Sequence, residues 1–269
     1  MSLSITGARS ELGRCFSGKT AGGKVHINIV GQQANTLLHD GHAWRGFERT
    51  ARAGVRRALQ ADADIHVHAS FAFVLGEPKK DPLRSLAEVI LECERLVLAG
   101  PRPACVVRLG YLYGPESRDL RLYRKAFRLG RPYWAGPRKA LQYHLHQNDA
   151  VGALLAAAKR RNAGKILYAT DGRPVPFMQF MDDFARKVGR RFPLHAPLVS
   201  APVMRMIVRE EHMQQAALAM PPRAPLPRVP GWQPVYADYR HGLDQVIDAW
   251  NADVSEWEGI VRPTRSRHE

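Results

Sequence analysis

The stretch that most constrains the fold is Ala104 to Pro115, which reads ACVVRLGYLYGP. Its β-branched start, Cys105-Val106-Val107, is typical of a buried strand, and Gly110 and Gly114-Pro115 break the run. We therefore predict a strand that delivers its carboxyl end into a loop. Ligands bind at that end of the strands in an open α/β sheet, so this loop is where a functional site is expected.

The net charge is the unusual property of the composition. The chain of 269 residues has 40 Lys and Arg against 25 Asp and Glu, which gives a net charge of +15 and a pI of about 10.2. Such an excess favours a polyanionic partner, and nucleic acid, an anionic membrane face and an acidic protein surface all stay open. The alternative is a compositional bias without function, because the arginines are spread along the chain.

The sequence gives no sign of export or of a membrane span. No apolar run approaches the roughly 20 residues that cross a bilayer, and the start of the sequence lacks the basic-then-apolar pattern of a signal peptide. The three cysteines, Cys15, Cys93 and Cys105, form neither a paired framework nor a metal-ligand spacing. We expect no metal, and a soluble or peripheral protein of the cytoplasm or of an organelle interior.

Several motifs follow one another in a familiar order. The segment RLGYLYGP at Arg108–Pro115 is followed by His146-Gln147-Asn148-Asp149-Ala150, by KILYATDG at Lys165–Gly172 and by Gly231-Trp232-Gln233-Pro234. This series resembles the late strands, a helix start and the C-terminal segment of the extended short-chain dehydrogenases, the NAD-dependent epimerase/dehydratase family. The resemblance implies an α/β fold with a Rossmann-like parallel sheet and a small C-terminal lobe.

In the nucleotide-binding half, the resemblance implies an abridged sheet. The segment Lys24–Gly31 looks like the fourth strand of the family, although it comes directly after the first strand and its turn. The segment Ile65–Gly76 looks like the fifth strand. The second and third strands, which build the adenosine pocket in the family, are then missing.

The same resemblance sets the expected domain organisation. We predict a truncated Rossmann-like core at 1–117. The C-terminal part, 118–269, is predicted to contribute the substrate-type lobe and also a late core helix and strand at about 144–172. The polar end of the sequence, 258–269, is predicted to be a mobile tail.

The first strand leads into a turn that resembles the family's phosphate-binding turn, in which glycines let the backbone approach a pyrophosphate. Gly7 and Gly13 occupy the outer glycine positions, and Ser10 replaces the middle glycine. A Cβ at Ser10 stands where close approach is needed, so the sequence argues against dinucleotide binding. An overlapping match to the pattern G-x-x-x-x-G-K-T at Gly13–Thr20 is interpreted as a loop, because it lacks a preceding strand and a following helix.

The catalytic positions implied by the resemblance hold apolar residues. The family uses a Ser or Thr after the fifth strand, and on the next helix a Tyr four residues before a Lys that lowers the pKa of the Tyr. These positions correspond to Phe71, Leu86 and Ile90. None of the three can carry a proton. We therefore expect no cofactor and no oxidoreductase chemistry.

Three functions remain open. The leading interpretation is a pseudoenzyme that acts as a structural or accessory subunit and docks on other protein subunits through its basic surface. The alternative is a cofactor-independent enzyme for proton transfer on a small molecule, with acid/base candidates Tyr111, Tyr113, His68 and His144. The third is an NAD(P)-dependent oxidoreductase or epimerase with a rearranged site, which needs phosphate binding by the Gly7–Gly13 turn.

Two local features bear on these alternatives. The segment Arg118–Leu129 predicts a basic amphipathic helix, whose polar side is either a solvated surface or a docking face for an acidic or membrane partner. Asp149 is predicted to cap the helix that follows it.

Overall fold

The computed structural model describes residues 2–35, 46–196, 210–220 and 226–261. The strands are β1 (Ser2–Thr6), β2 (Lys24–Asn28), β3 (Ile65–Phe71), β4 (Ala104–Leu109), β5 (Tyr111–Tyr113), β6 (Tyr133–Trp134), β7 (Leu141–Gln142), β8 (His144–His146), β9 (Ile166–Ala169), β10 (Val175–Pro176) and β11 (His195–Ala196). The helices are α1 (Glu11–Arg14), α2 (Phe47–Gln60), α3 (Leu83–Leu98), α4 (Arg118–Arg128), α5 (Gln147–Ala157), α6 (Phe177–Lys187), α7 (Glu210–Ala217) and α8 (Tyr239–Val261).

Five strands form a parallel sheet in the order β1-β2-β3-β4-β9. In its register Thr6 lies opposite Asn28, and Phe71 lies opposite Leu109. Leu109 in turn lies opposite Ala169. The carboxyl ends of all five strands therefore meet at one edge of the sheet, which is where a ligand site is expected in such a fold.

Helices cover both faces of the sheet because the strands are apolar on both sides. On one face, Ile27, Val67 and Val107 pack in a buried cluster that includes α5 and Leu12 of α1. On the other face, α2 and α3 contribute their apolar sides to a second buried cluster, which continues into the C-terminal lobe. The predicted α/β class with a Rossmann-like parallel sheet is confirmed.

The predicted abridgement of the sheet is also confirmed. β2 pairs directly with β1, and no strand of the described residues pairs with the outer side of β1. One boundary differs from the prediction, because β3 ends at Phe71 and Ala72–Gly76 forms a turn of 3₁₀ helix. The pairing strand β4 ends opposite Phe71, so the apolar residues beyond it have no ladder to join.

The C-terminal part both completes the sheet and builds the lobe. β9 pairs with β4, and the short pairs β6–β11 and β7–β10 lie in the lobe with α4 and α6. Arg228 forms a parallel bridge with Tyr168, while 221–225 of the proline-rich connector lies outside the described residues. The domain division at 117 and 118 stays a prediction. Of the predicted mobile tail, 262–269 lies outside the described residues, and α8 extends to Val261.

The predicted cap of α5 is wrong. α5 begins at Gln147, two residues earlier than Asp149. Its N-cap is His146, whose Nδ1 accepts a hydrogen bond from the amide of Asn148 at 3.2 Å. In the described part of the chain, no helix is long and apolar enough to cross a membrane.

Candidate cofactor and active site

The turn after β1 keeps the shape of a phosphate-binding turn despite the loss of its middle glycine. Gly7 has φ +98°, which favours glycine. Ser10 has φ −71° and ψ 168°, an extended conformation open to any residue, and its Oγ accepts a hydrogen bond from the amide of Gly13 at 3.1 Å. A Cβ on Gly13 would lie 2.3 Å from the carbonyl oxygen of Ala8. Ser10 therefore supports the turn as an N-cap and needs no glycine.

A pair of amides joins the ends of β3 and β4 at the carboxyl edge. Gln32 Nε2 donates to the carbonyl of Ala69 at 2.9 Å, and Asn35 Nδ2 donates to the Gln32 side chain at 3.0 Å and to the carbonyl of Gly110 at 3.1 Å. Asn35 is 1% exposed, and its Oδ1 has no hydrogen-bond partner in the described structure. A buried acceptor without a donor is costly, so this oxygen is suited to receive an N–H group of a ligand.

The three positions of the family's proton relay lie in the core. Phe71, Leu86 and Ile90 are all buried in the cluster between the sheet and α3. The ring of Phe71 contacts the rings of Phe47 and Phe73, each with centroids 5.7 Å apart. These residues pack, and none of them offers a group that could donate or accept a proton.

One turn of α3 beyond Ile90, a buried ion pair ties this helix to the sheet. Glu94 accepts hydrogen bonds from Ser70 Oγ at 2.5 Å and from Arg108 Nε and Nη2 at 2.8 and 2.6 Å. Arg108 also donates to the hydroxyl of Tyr168 at 2.6 Å. The polar atoms of this network satisfy one another, which is typical of a structural network.

The structure brings together three of the four acid/base candidates. β5 pairs with β8, which places Tyr111 opposite His144 and Tyr113 opposite His146. Tyr113 packs edge-on against His146, with ring centroids 5.2 Å apart. The ring of His144 stacks on Phe180 at 4.5 Å. We call this group the lobe cluster.

Three groups of the lobe cluster, His144, His146 and Tyr113, are electrically neutral at ordinary pH. Burial lowers the pKa of His144 to about 3 and that of His146 to about 4. Burial raises the pKa of Tyr113 far above its usual range, and the nearby carboxylates of Asp171 and Asp149 raise it further. None of these side chains is therefore poised to exchange a proton near neutrality.

His68 does not join the lobe cluster. It lies in the middle of β3, where its Nδ1 is 3.1 Å from the side-chain nitrogen Nδ2 of Asn28. Burial lowers the pKa of His68 to about 4, so this side chain is neutral as well. Among the residues that the structure describes, no group of three or more His, Cys, Asp and Glu side chains could hold a metal ion.

Two functional candidates were missed in the sequence. Asn35 gave no signal, because its role depends on how the loop after β2 folds back on the sheet. Asp171 lies two residues after the end of β9, a position at the carboxyl edge that the sequence did show. Its amide donates to the carbonyl of His144, its Oδ1 accepts from Arg173, and burial raises its pKa well above the usual value.

Comparison with known proteins is consistent with this fold. No protein-family model matches the chain. Over 188 residues, or 69% of the chain, it is 31% identical to a 3-diazoavenalumate denitrifying reductase of a Streptomyces species. The matched part spans 58% of the length of that relative.

Solved structures match nearly the whole chain. Human epimerase family protein SDR39U1 (isoform 2) with NADPH aligns with a TM-score of 0.69 at 14% identity, over 92% of this chain and 99% of the other. MoeE5 with UDP-glucose and NAD aligns with a TM-score of 0.65 at 17% identity, over 94% of this chain and 100% of the other. RMD from Pseudomonas aeruginosa with NADPH aligns with a TM-score of 0.63 at 14% identity, over 93% of this chain and 99% of the other. The fold of the chain is that of the extended short-chain dehydrogenases, the NAD-dependent epimerase/dehydratase family, in a form abridged in its nucleotide-binding half.

These neighbours correct the expectation that no cofactor is bound. Structures with the same fold over nearly all of this chain hold NADPH or NAD, which points to NAD(P) binding. The interpretation as a non-enzymatic accessory subunit finds no support in them either. One ground of that expectation was wrong: the replacement at Ser10 was treated as a steric block, whereas Ser10 caps α1 in the structure.

The residues of the carboxyl edge fit two parts of such a cofactor. The Gly7–Gly13 turn retains the backbone shape suited to a pyrophosphate. Asn35 Oδ1 is a buried acceptor without a partner, which suits the carboxamide N–H of a nicotinamide. At the adenosine end, no strand of the described residues pairs with the outer side of β1.

Proposed function

We propose that this chain is an NAD(P)-dependent reductase whose site delivers a hydride without the Tyr–Lys proton relay of its family. One observation carries the proposal: the phosphate-binding turn is built soundly, while all three relay positions are buried apolar side chains. A reductase relative, 31% identical over 188 residues, supports the same reading.

The chain's own residues divide the work of holding the cofactor. The Gly7–Gly13 turn binds the pyrophosphate through its backbone, and Asn35 orients the nicotinamide through its free Oδ1. The bound cofactor supplies the hydride. The pair Gln32 and Asn35, anchored to the carbonyls at the ends of β3 and β4, holds this acceptor in place.

The missing relay narrows the class of substrate. A ketone that accepts a hydride becomes an alkoxide and needs a proton, which Phe71, Leu86 and Ile90 cannot give. A diazonium group that accepts a hydride needs none, because a C–H bond forms as dinitrogen leaves with the electron pair of the C–N bond. The name of the relative, a denitrifying reductase for a diazo compound, describes a substrate that is of this kind in its protonated, diazonium form. We infer that this chain reduces an aromatic diazo compound.

The surroundings of the site suit an aromatic substrate and a dry reaction. Phe71 and Phe73 stand where β3 ends, and the ring of Phe73 lies parallel to that of Tyr111 with centroids 6.4 Å apart. All three are buried. Packed aromatic rings next to the carboxyl edge keep water out of this region, and a dry site would protect a hydride and a diazonium group from side reactions.

Cofactor binding is tested with a pair of substitutions at one position. Ser10→Asp keeps an N-cap acceptor for Gly13 but places a negative charge beside the pyrophosphate, and Ser10→Asn keeps the cap without the charge. We expect wild type and Ser10→Asn to bind NADPH or NADH with similar affinity in calorimetric titrations. The aspartate variant should bind about tenfold more weakly or worse, because a like charge a few ångström away is repulsive.

Activity is then measured with 3-diazoavenalumate and each reduced nicotinamide cofactor, by the loss of cofactor absorbance and the release of dinitrogen. The proposal predicts equal amounts of oxidised cofactor, dinitrogen and reduced product. Failure of the wild-type protein to bind either cofactor would overturn the proposal. Binding without turnover would retain the cofactor and reject the diazo substrate class.

A further inference from the structure

Large apolar side chains are exposed in one part of the lobe. Among the described residues of α4 and of the two segments next to it, four such side chains are exposed: Leu122 (49%), Leu129 (60%), Phe192 (72%) and Leu194 (47%). A soluble surface seldom gathers such residues without a partner. With the cations around them, described next, they form what we call the basic-apolar patch.

These side chains come from two segments that meet. Leu122 lies on α4, and Leu129 follows directly after the helix, seven residues or about two turns later, so both project from the same side. Tyr133, just beyond α4, donates its amide hydrogen to the carbonyl of Leu194 at 3.0 Å. The guanidinium of Arg190 lies 3.5 Å from where a Cβ of Gly130 would be. The end of α4 and the segment 190–194 therefore form one continuous surface.

The patch carries an excess of positive charge. Five cationic side chains belong to its two segments and form no ion pair within the described structure: Lys125, Arg128, Arg131, Arg190 and Arg191. The two carboxylates of α6 are already engaged. Asp182 accepts from the Tyr133 hydroxyl and lies 2.8 Å from His195, and Asp183 pairs with Arg186 and Arg240. An anionic partner would complement this surface.

We propose that the basic-apolar patch binds the surface of an anionic lipid membrane. Exposed Leu and Phe side chains suit insertion among lipid headgroups, and the surrounding Lys and Arg side chains suit the lipid phosphates. A cluster of five cations around exposed Leu and Phe side chains is the pattern of a peripheral membrane surface, and an acidic protein is tested below as the competing partner. This binding is independent of the cofactor and of the reductase chemistry.

The charge requirement is tested by co-sedimentation with lipid vesicles. The probes are vesicles of phosphatidylcholine alone and vesicles of equal parts phosphatidylcholine and phosphatidylglycerol. Lys125→Glu with Arg128→Glu should weaken binding to the anionic vesicles about tenfold or more. The matched control is Arg56→Glu with Arg57→Glu on α2, which makes the same change in net charge at exposed positions elsewhere. The control should bind like wild type.

The apolar requirement is tested in the same assay. Leu129→Ser with Phe192→Ser should reduce binding to the anionic vesicles several-fold, because less apolar area enters the interface. Leu96→Ser with Val235→Ser, two other exposed positions, should leave it unchanged. All four variants should retain the reductase activity of wild type, which also verifies that they fold.

Three results would overturn the membrane proposal. The first is a wild-type protein that binds neither kind of vesicle. The second is an equal loss of binding in a patch variant and in its control, which would show an effect of overall charge or apolar area alone. The third is binding to poly-glutamate without binding to vesicles, which would assign the patch to an acidic protein.

Discussion

The Gly7–Gly13 turn (the turn end of the site) and the three relay positions (the relay end) have changed in different ways. At the turn, Ser10 replaces a glycine but adopts an extended backbone conformation and caps α1, so the local structure is kept. At the relay positions, Phe71, Leu86 and Ile90 have joined the apolar core. Cofactor binding and proton transfer are thus physically separable, because one depends on backbone shape and the other on a few titratable side chains.

If the relay positions are now part of the structural core, the buried ion pair between Glu94 and Arg108 beside them should contribute strongly to stability. Glu94→Ala leaves the largely buried guanidinium of Arg108 without its carboxylate partner, so we expect the free energy of unfolding to fall by about 3–5 kcal/mol. Urea titration measures the change. The control is Glu92→Ala, which removes a more exposed pair with Arg52 and should cost about 1 kcal/mol or less. Similar losses in both variants would contradict a core role for this end.

The comparison would fail if the lobe cluster carried out the proton transfer that the relay positions cannot. The pH dependence of stability tests this possibility. His144 has a lowered pKa of about 3, whereas an unfolded histidine titrates near about 6.5. Below that pH, His144 is protonated in the unfolded chain but stays neutral in the native chain, so the free energy of unfolding falls as the pH decreases. His144→Phe should reduce this slope by up to about 1.4 kcal/mol per pH unit between the two values.

The exposed His241→Gln serves as the control for that slope and should leave it near the wild-type value. The readout is the urea midpoint at a series of pH values from neutral to mildly acidic. An unchanged slope in His144→Phe would mean that His144 is protonated in the native protein. That result would restore it as an acid/base candidate.

Substitutions at Ser10, in the phosphate-binding turn, should change the stability of the protein only slightly. Ser10→Ala removes the cap of α1 and should lower the free energy of unfolding by about 1 kcal/mol, while Ser10→Asn should lower it by less. Because the hydroxyl is assigned to the cap, NADPH affinity should be similar in all three proteins. A loss of affinity without a loss of stability in Ser10→Ala would instead place the hydroxyl on the phosphate.

Much of the fold was readable from the sequence because its signals are local and ordered. The β-branched strands and the break at Gly110 located the sheet and its carboxyl edge, and the early arrival of Lys24–Gly31 predicted the missing strands. The boundary of β3 at Phe71 was not readable, because the apolar run continues and only the length of β4 ends the ladder.

The site was less predictable, because its features depend on tertiary contacts. The sequence located Gly7 and Gly13 but could not show that Ser10 would cap α1. It grouped His68 with His144, although β3 and β8 hold them in separate surroundings. Asn35 became visible only when its loop was seen to bond the carbonyls of neighbouring strands. Asp149 was assigned to a cap, but its carboxylate accepts from the amides of Val235 and Tyr236.

The most direct test of a reductase without a relay follows the hydride. The protein is given 3-diazoavenalumate and a reduced nicotinamide cofactor that carries deuterium at the transferable position, in ordinary water. The account predicts that the product carries the deuterium at the carbon that lost nitrogen, and that the rate of the hydride step is unchanged in heavy water. A product that takes this hydrogen from the solvent would contradict it.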